Sequence, residues 1–345
     1  MNRPAVALAV GAATLLGGVA LVAWAPWDDA GGATALALEG DIGVHDPALV
    51  AGTDEHDWYV YSTGDVRVGL GAPQIRRSED GVTWEYVGTA WDAQTRPEWV
   101  YEEITGVENF WAPELVEHDG TWYLYYAAST FGSNRSLIGL MTSPTLDVDD
   151  PAYGWTDQGE VWRSTPGETN YNAIDAGVVT DADGTPWMAF GSFWGGIQLI
   201  ELEWPSGKPV AGAEPALIAT RNTATNAIEA PYLVHRDGWY YLFFSRDKCC
   251  SGVDSTYSIA VGRAADITGP YLDSWGNDLR YDVGDELLST RGSMIGPGGQ
   301  SYSDGNLAFH FYDEALGGAP ELAIRELAWT DDGWPVAWTA AESAD

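Results

Sequence analysis

The chain has 345 residues, 45% of them apolar, enough for one large domain with a substantial core. Net charge is −35, with only two lysines, Lys208 and Lys248. Such self-repulsion excludes polyanionic partners such as nucleic acid or pectate and reads as a solvated acidic surface. The two cysteines, Cys249 and Cys250, are adjacent, which excludes a disulfide framework and leaves only a strained ring between neighbours.

At the N-terminus Arg3 precedes an almost wholly apolar run over residues 4–27, followed by Asp28 and Asp29. This pattern predicts an export signal, with the bulk of the chain outside the cell. The run is nearly long enough to span a bilayer, so an uncleaved membrane anchor is the alternative. The string "ATALAL" (33–38) offers small residues at Ala35 and Ala37 for cleavage. Residues 1–37 are therefore read as signal or anchor plus linker, and 38–345 as one domain.

Trp (18) and Tyr (17) outnumber Phe (8), which favours sheet and suits a sugar-binding surface. Five ten-residue strings recur along the chain. They start at Asp46, Trp111, Asp175, Glu229 and Gly296, spaced 65, 64, 54 and 67 residues apart. Four run into Asp-Gly and the first into Asp54-Glu55. Each precedes an aromatic-rich stretch: "DWYVYS", "TWYLYYAAS", "TPWMAFGS", "WYYLFFS" and "NLAFHFYD". A short apolar strand, a tight turn and a second strand make a hairpin. A unit of about 60 residues has room for two more strands, and "SEDGVTW" (78–84) reads as the outer hairpin of the first. Five such sheets stacked radially make an all-β, five-bladed propeller with four-stranded blades around a central channel. A β-sandwich with chance similarity is the competing fold, which the shared register of five copies argues against.

In a propeller the five string starts converge on one mouth of the channel. That predicts three carboxylates (Asp46, Asp175, Glu229) and one indole (Trp111) facing one another. Like charges there raise at least one pKa, as a general acid requires. Two carboxyl groups flanking a glycosidic bond are the machinery of sugar hydrolysis, and a third tunes the acid. Glu229 reaches one methylene further and is the candidate acid; Asp46 and Asp175 are the candidate base and tuner.

The strings "HDPALV", "WAPEL", "STFGSNRSLIGL", "NAIDAG", "GSFWGGI", "NAIEAPYL", "CCSGVDSTYSIAVGRAADITGPY" and "HFYD" together resemble glycoside hydrolase family 43, specifically its five-bladed endo-α-1,5-L-arabinanases. The resemblance runs from His45 to about Trp334. It implies Asp46 as general base, Asp175 as modulator of the acid's pKa, Glu229 as general acid, and inversion of configuration. It further implies Trp111 as a stacking platform for an arabinose ring, Phe131 and Ser192 as subsite residues, and Asn172 as a sugar contact beside Asp175. His310 resembles a His tied to a central calcium ion, largely through waters, so Ca2+ is the implied cofactor. Arabinan or an arabino-oligosaccharide is the implied partner, and the enzyme is expected to act outside the cell as a monomer.

Three departures stand out. Ala176 follows Asp175 where the family has Pro, Glu114 stands in place of Asp, and Gly299-Gln300 replaces a His after "GPG". An exo-acting α-L-arabinofuranosidase or β-xylosidase on the same scaffold is the alternative activity. A sugar-binding propeller without catalysis is the alternative class. The chain lacks the patterns of a phosphate loop, a Ser/His nucleophile or a Cys/His zinc site: "SFWGGI" has no following Lys.

Overall fold

Each aromatic-rich stretch forms the second strand of an antiparallel sheet in the computed structural model, which describes residues 32–343. Blade 1 holds Ala48–Val50, Trp58–Ser62, Gln74–Ser78 and Thr83–Thr89, with Glu39–Gly40 added in parallel outside. Blade 2 holds Phe110–His118, Thr121–Ala128, Ser136–Ser143 and Thr156–Ser164. Blade 3 holds Gly177–Thr180, Pro186–Phe190, Ile197–Glu203 and Ala216–Ala219, with Lys208–Pro209 at its edge. Blade 4 holds Ile228–Arg236, Trp239–Arg246, Ser258–Ala264 and Asp285–Leu288. Blade 5 holds Met294–Ser303, Asn306–Asp313 and Ala319–Glu326.

The fourth strand of blade 5 is Thr34–Ala35, which pairs with Glu326 and Arg325. The propeller therefore begins ahead of the boundary read at residue 38. The N-terminal segment closes the ring onto the last blade. The export segment read over residues 4–27 lies outside the described residues. Among the described residues no helix is long and apolar enough to cross a membrane.

Three of the Asp-Gly pairs make two-residue turns with both φ positive: Asp119-Gly120, Asp237-Gly238 and Asp304-Gly305. This is the hairpin geometry whose twist matches the flanking strands. Blade 3 differs, because Thr180 pairs with Pro186 across a longer loop.

The second strands are apolar on both faces because each blade is covered on both sides. In blade 2, Tyr123 and Tyr125 pack against Val178, Met188 and Phe190 of blade 3. The alternate residues Leu124 and Tyr126 pack against Tyr59, Tyr61 and Ile75 of blade 1. Similar clusters fill the other three junctions. The side-chain period of two thus sends alternate residues of one strand into two different cores. Truncating one, such as Leu124→Ala, should cost about 2–5 kcal/mol.

Candidate active site

Every inner strand carries the same irregularity near its start. Two residues drop out of the ladder: Asp46-Pro47, Ala112-Pro113, Asp175-Ala176, Ala230-Pro231 and Gly299-Gln300. The first of each pair is left-handed, with φ of 52°, 41°, 59°, 48° and 59° in that order. An L-residue there costs about 1–2 kcal/mol, and a following proline disfavours it further. Bulges of this kind re-aim side chains.

The bulges line the mouth of the central channel, together with Glu114, Tyr232 and Ser301. The true five-fold equivalents are thus Asp46, Ala112, Asp175, Ala230 and Gly299. Trp111 and Glu229 stand one residue earlier, level with His45. This corrects the equivalence read from the string starts. Gly296 lies in a separate, earlier bulge of blade 5, against Ser255 and Tyr257. Counting back from the turn misplaced the register, because the hairpins differ in length and the inner strand of blade 5 carries a second bulge.

Four of the five left-handed residues have their N–H held by a side chain of the preceding blade. Asp46 donates to His310 Nδ1 at 3.1 Å. Ala112 donates to Thr63 Oγ1 at 3.0 Å. Ala230 donates to Asp175 Oδ2 at 3.0 Å. Gly299 donates to Ser245 Oγ at 3.0 Å. These bonds satisfy amides that the bulges remove from the ladder and tie four of the five blade junctions together around the mouth.

Asp46 is half-buried. Its Oδ2 accepts from Thr63 Oγ1 at 2.7 Å and from His45 Nδ1 at 2.8 Å. Burial pushes its pKa up, but His45 and Thr63 outweigh this and hold the carboxyl well below the usual range. Burial opposes charging of His45, yet the Asp46 carboxylate and then Glu229 raise its pKa. His310 is wholly buried, stacked on His45 at 3.7 Å between ring centroids, and burial drives it well below its ordinary value.

Asp175 and Glu229 behave in the opposite way. Burial, then the charge of Glu229, then that of Asp46 push Asp175 well above a carboxylate's ordinary value. Glu229 is 8% exposed and is also raised, chiefly by burial. Ser192 Oγ, 2.7 Å from Oε2, and the Tyr257 phenol pull the other way. Both carboxyls are thus driven toward the protonated form, the opposite of Asp46. Glu114, in the same lining, is buried, and burial pushes its pKa up to about 8. Its Oε1 accepts the Val178 N–H of blade 3 at 3.2 Å.

Trp111 is half-buried at the head of its strand, and Phe131 stands 85% exposed on the blade 2 loop. Ser192 is buried and bonded to Glu229. Asn172 is 3% exposed, and its Oδ1 accepts from Ser136 Oγ at 2.6 Å, bracing blade 3 against blade 2. The structure therefore brings Asp46, Trp111, Asp175, Ser192, Glu229 and His310 to one mouth. It sets Phe131 on the rim and Asn172 behind the surface.

Sequence reasoning passed over His45, Thr63, Ser245, Tyr257 and Tyr312. His45, Tyr257 and Tyr312 lie inside strings already singled out. Thr63 follows, and Ser245 ends, an aromatic-rich second strand, and a hydroxyl at that point also ends "TWYLYYAAS" and "TPWMAFGS". That shared hydroxyl was the available signal.

His45, Asp46 and His310 are the one group of potential metal ligands among the described residues, their ligand atoms within 4.8 Å of each other. Both His310 nitrogens face other partners, Asp46 N–H and Tyr312 Oη. A hard cation prefers oxygen, and Asp46 Oδ1 is the carboxylate oxygen that His45 and Thr63 leave uncommitted. These residues fit a calcium ion held mostly by water and do not fit one bound directly by His310.

Three carboxyls gathered at a propeller mouth, one beside an imidazole and two buried together, are the arrangement expected of a glycoside hydrolase. The glycosyl hydrolases family 43 pattern matches residues 41–335. The chain is 41% identical over 295 residues to an extracellular endo-α-(1→5)-L-arabinanase of Bacillus subtilis, covering 85% of this chain and 87% of that one. It is 37% identical to an extracellular exo-α-(1→5)-L-arabinofuranosidase of Cellvibrio japonicus, over 85% and 86% of the two chains. A solved family 43 endo-arabinanase from Bacillus licheniformis superposes with a TM-score of 0.80 at 38% identity, over 87% of this chain and 99% of that one. The chain belongs to glycoside hydrolase family 43.

Proposed function

We propose that this enzyme is secreted and cuts α-1,5-linked arabinan within the chain, with inversion of configuration. Asp46 takes the proton from the attacking water, and Glu229 protonates the leaving oxygen. Asp175 keeps Glu229 protonated through its charge and holds the Ala230 amide beside it. One observation carries this reading: three carboxyls meet at one mouth in unlike settings, Asp46 accepting from an imidazole and a hydroxyl while Asp175 and Glu229 are shut away from any basic partner and driven toward the protonated form. A base and an acid are thus both ready at the same pH. Trp111 and Phe131 offer apolar faces for sugar rings. Ser192 acts on the acid rather than on the substrate alone. A calcium ion held by water beside Asp46 and His310 would orient those two groups, so chelation should lower activity, checked by titrating calcium back.

The exo-acting relative at 37% identity supports a second reading, removal of residues from a chain end by the same three carboxyls. Product sizing after brief incubation with linear 1,5-arabinan separates the two. A spread of short oligosaccharides supports internal cleavage, and arabinose or a single small product supports the exo reading. Proton NMR of the first product tests inversion, and initial release of the retained anomer would overturn Asp46 as base.

A further inference from the structure

Tyr312 lies on the second strand of blade 5 and was assigned no role in the sequence reading. Its hydroxyl lies beside the Ser255 side chain and meets three groups within 3.3 Å. The backbone N–H of Cys250 donates to Oη at 2.8 Å. His310 Nε2 lies 3.3 Å away and His45 Nε2 2.8 Å away. Cys250 is bonded to its neighbour Cys249, so this amide belongs to a closed ring that limits its movement.

The protons in this cluster can be assigned in sequence. The Asp46 N–H is necessarily a donor, so His310 Nδ1 accepts and the His310 proton sits on Nε2. Tyr312 Oη then receives two donors, Cys250 N–H and His310 Nε2–H, which fill its two lone pairs. Its own proton is left to point at His45 Nε2. With Nε2 accepting, neutral His45 carries its proton on Nδ1, which faces Asp46 Oδ2 at 2.8 Å. Thr63 obeys the same logic: its oxygen accepts the Ala112 N–H, so its proton goes to Asp46 Oδ2. The stacking of His45 on His310 at 3.7 Å also disfavours charge on both rings at once.

We propose that Tyr312 is a positioning residue for the general base: anchored by the Cys250 amide, it fixes His45 as the Nδ1–H tautomer, so that Asp46 Oδ2 receives two hydrogen bonds and Oδ1 is left for the attacking water. The opposite tautomer would place a lone pair against the carboxylate at 2.8 Å. Asp46 Oδ2 would then keep one hydrogen bond, from Thr63, instead of two, and the carboxylate would no longer be held in place from the His45 side. The inference rests on the assignment of Asp46 as base, but its main readout does not depend on activity.

The test is long-range 1H–15N NMR at pH 8 on the whole protein with 15N-labelled histidine. The chain has five histidines, few enough to assign by single substitution. In the wild type, His45 should show a protonated Nδ1 and an unprotonated Nε2. A protonated Nε2 on His45, as the other tautomer or as imidazolium, overturns the proposal whatever any variant does. In Tyr312→Phe the Nδ1–H population should fall, kcat should drop about 10- to 100-fold, less than the roughly 10²–10⁴-fold of a group that transfers the proton itself, and KM should change less than about threefold. An unchanged His45 tautomer in a folded Tyr312→Phe protein also overturns it. If the wild type cuts no arabinan but shows the expected tautomer, the substrate reading fails while the proton order stands.

Discussion

On the two sides of the channel mouth, Asp46 and Asp175 share one backbone geometry, left-handed and out of the ladder, yet they meet opposite chemistry. Asp46 accepts from a hydroxyl and an imidazole, and its carboxyl is held ionised. Asp175 accepts one backbone amide and faces a buried carboxyl, and its own pKa is driven up. The repeat supplies the position, and the partners each carboxyl meets supply the protonation state. His310 reaches Asp46 from blade 5 and Thr63 from the second-strand side of its own hairpin, while among the described residues no basic side chain is bonded to Asp175.

Removing either reacting group should have the largest effect. Glu229→Gln and Asp46→Asn should each lower kcat on the order of 10³-fold while leaving the fold intact by circular dichroism. Asp175→Asn comes next, at about 10²-fold. The amide oxygen keeps the Ala230 bond, but the negative neighbour of Glu229 is lost. The acid should then ionise earlier, and the alkaline limb of kcat/KM should move to lower pH. A limb that stays in place would show that Asp175 acts only through the Ala230 amide.

Thr63→Val is a milder break on the opposite side, about tenfold in kcat. It removes one of two hydrogen bonds that favour the Asp46 carboxylate, so the pKa of Asp46 should rise and the acidic limb move to higher pH. Ser192→Ala should have the smallest effect, a few-fold. Ser192 stabilises the ionised form of Glu229, so its loss should raise that pKa and carry the alkaline limb upward, opposite to Asp175→Asn. If those two variants shift the limb the same way, the contrast between the two sides is wrong.

Much of this was legible in the chain. Asp-Gly turns and aromatic-rich strands marked five hairpins, and the three carboxyls stood in recurring strings. The ring's true register was not legible. Ala112 and Ala230 adopt the left-handed conformation with no glycine to announce it, and the longer blade 3 turn shifts the count by one. Gly299 alone carries a local mark. A Cβ there would come within 2.5 Å of Asp46 Oδ1 and 2.8 Å of His310, so the glycine makes room for the base. The partners of Asp46 were hidden for a different reason. His45 is its chain neighbour and Thr63 faces it across the blade 1 hairpin, but His310 reaches it only after blades 5 and 1 have stacked, and spacing along the chain carries no trace of that.

The pairing of Thr34–Ala35 with the third strand of blade 5 gives the ring a seam. The hairpins inside each blade are local and can form early. This contact joins residues almost a whole chain apart, so it carries the greatest loop-closure cost and should form late. Two paired residues hold it, with the Leu36 amide on Ile324 and the Ala33 amide on Trp338. Under heat or mechanical load the circle should part there first, as a clasp opens before the links of a bracelet.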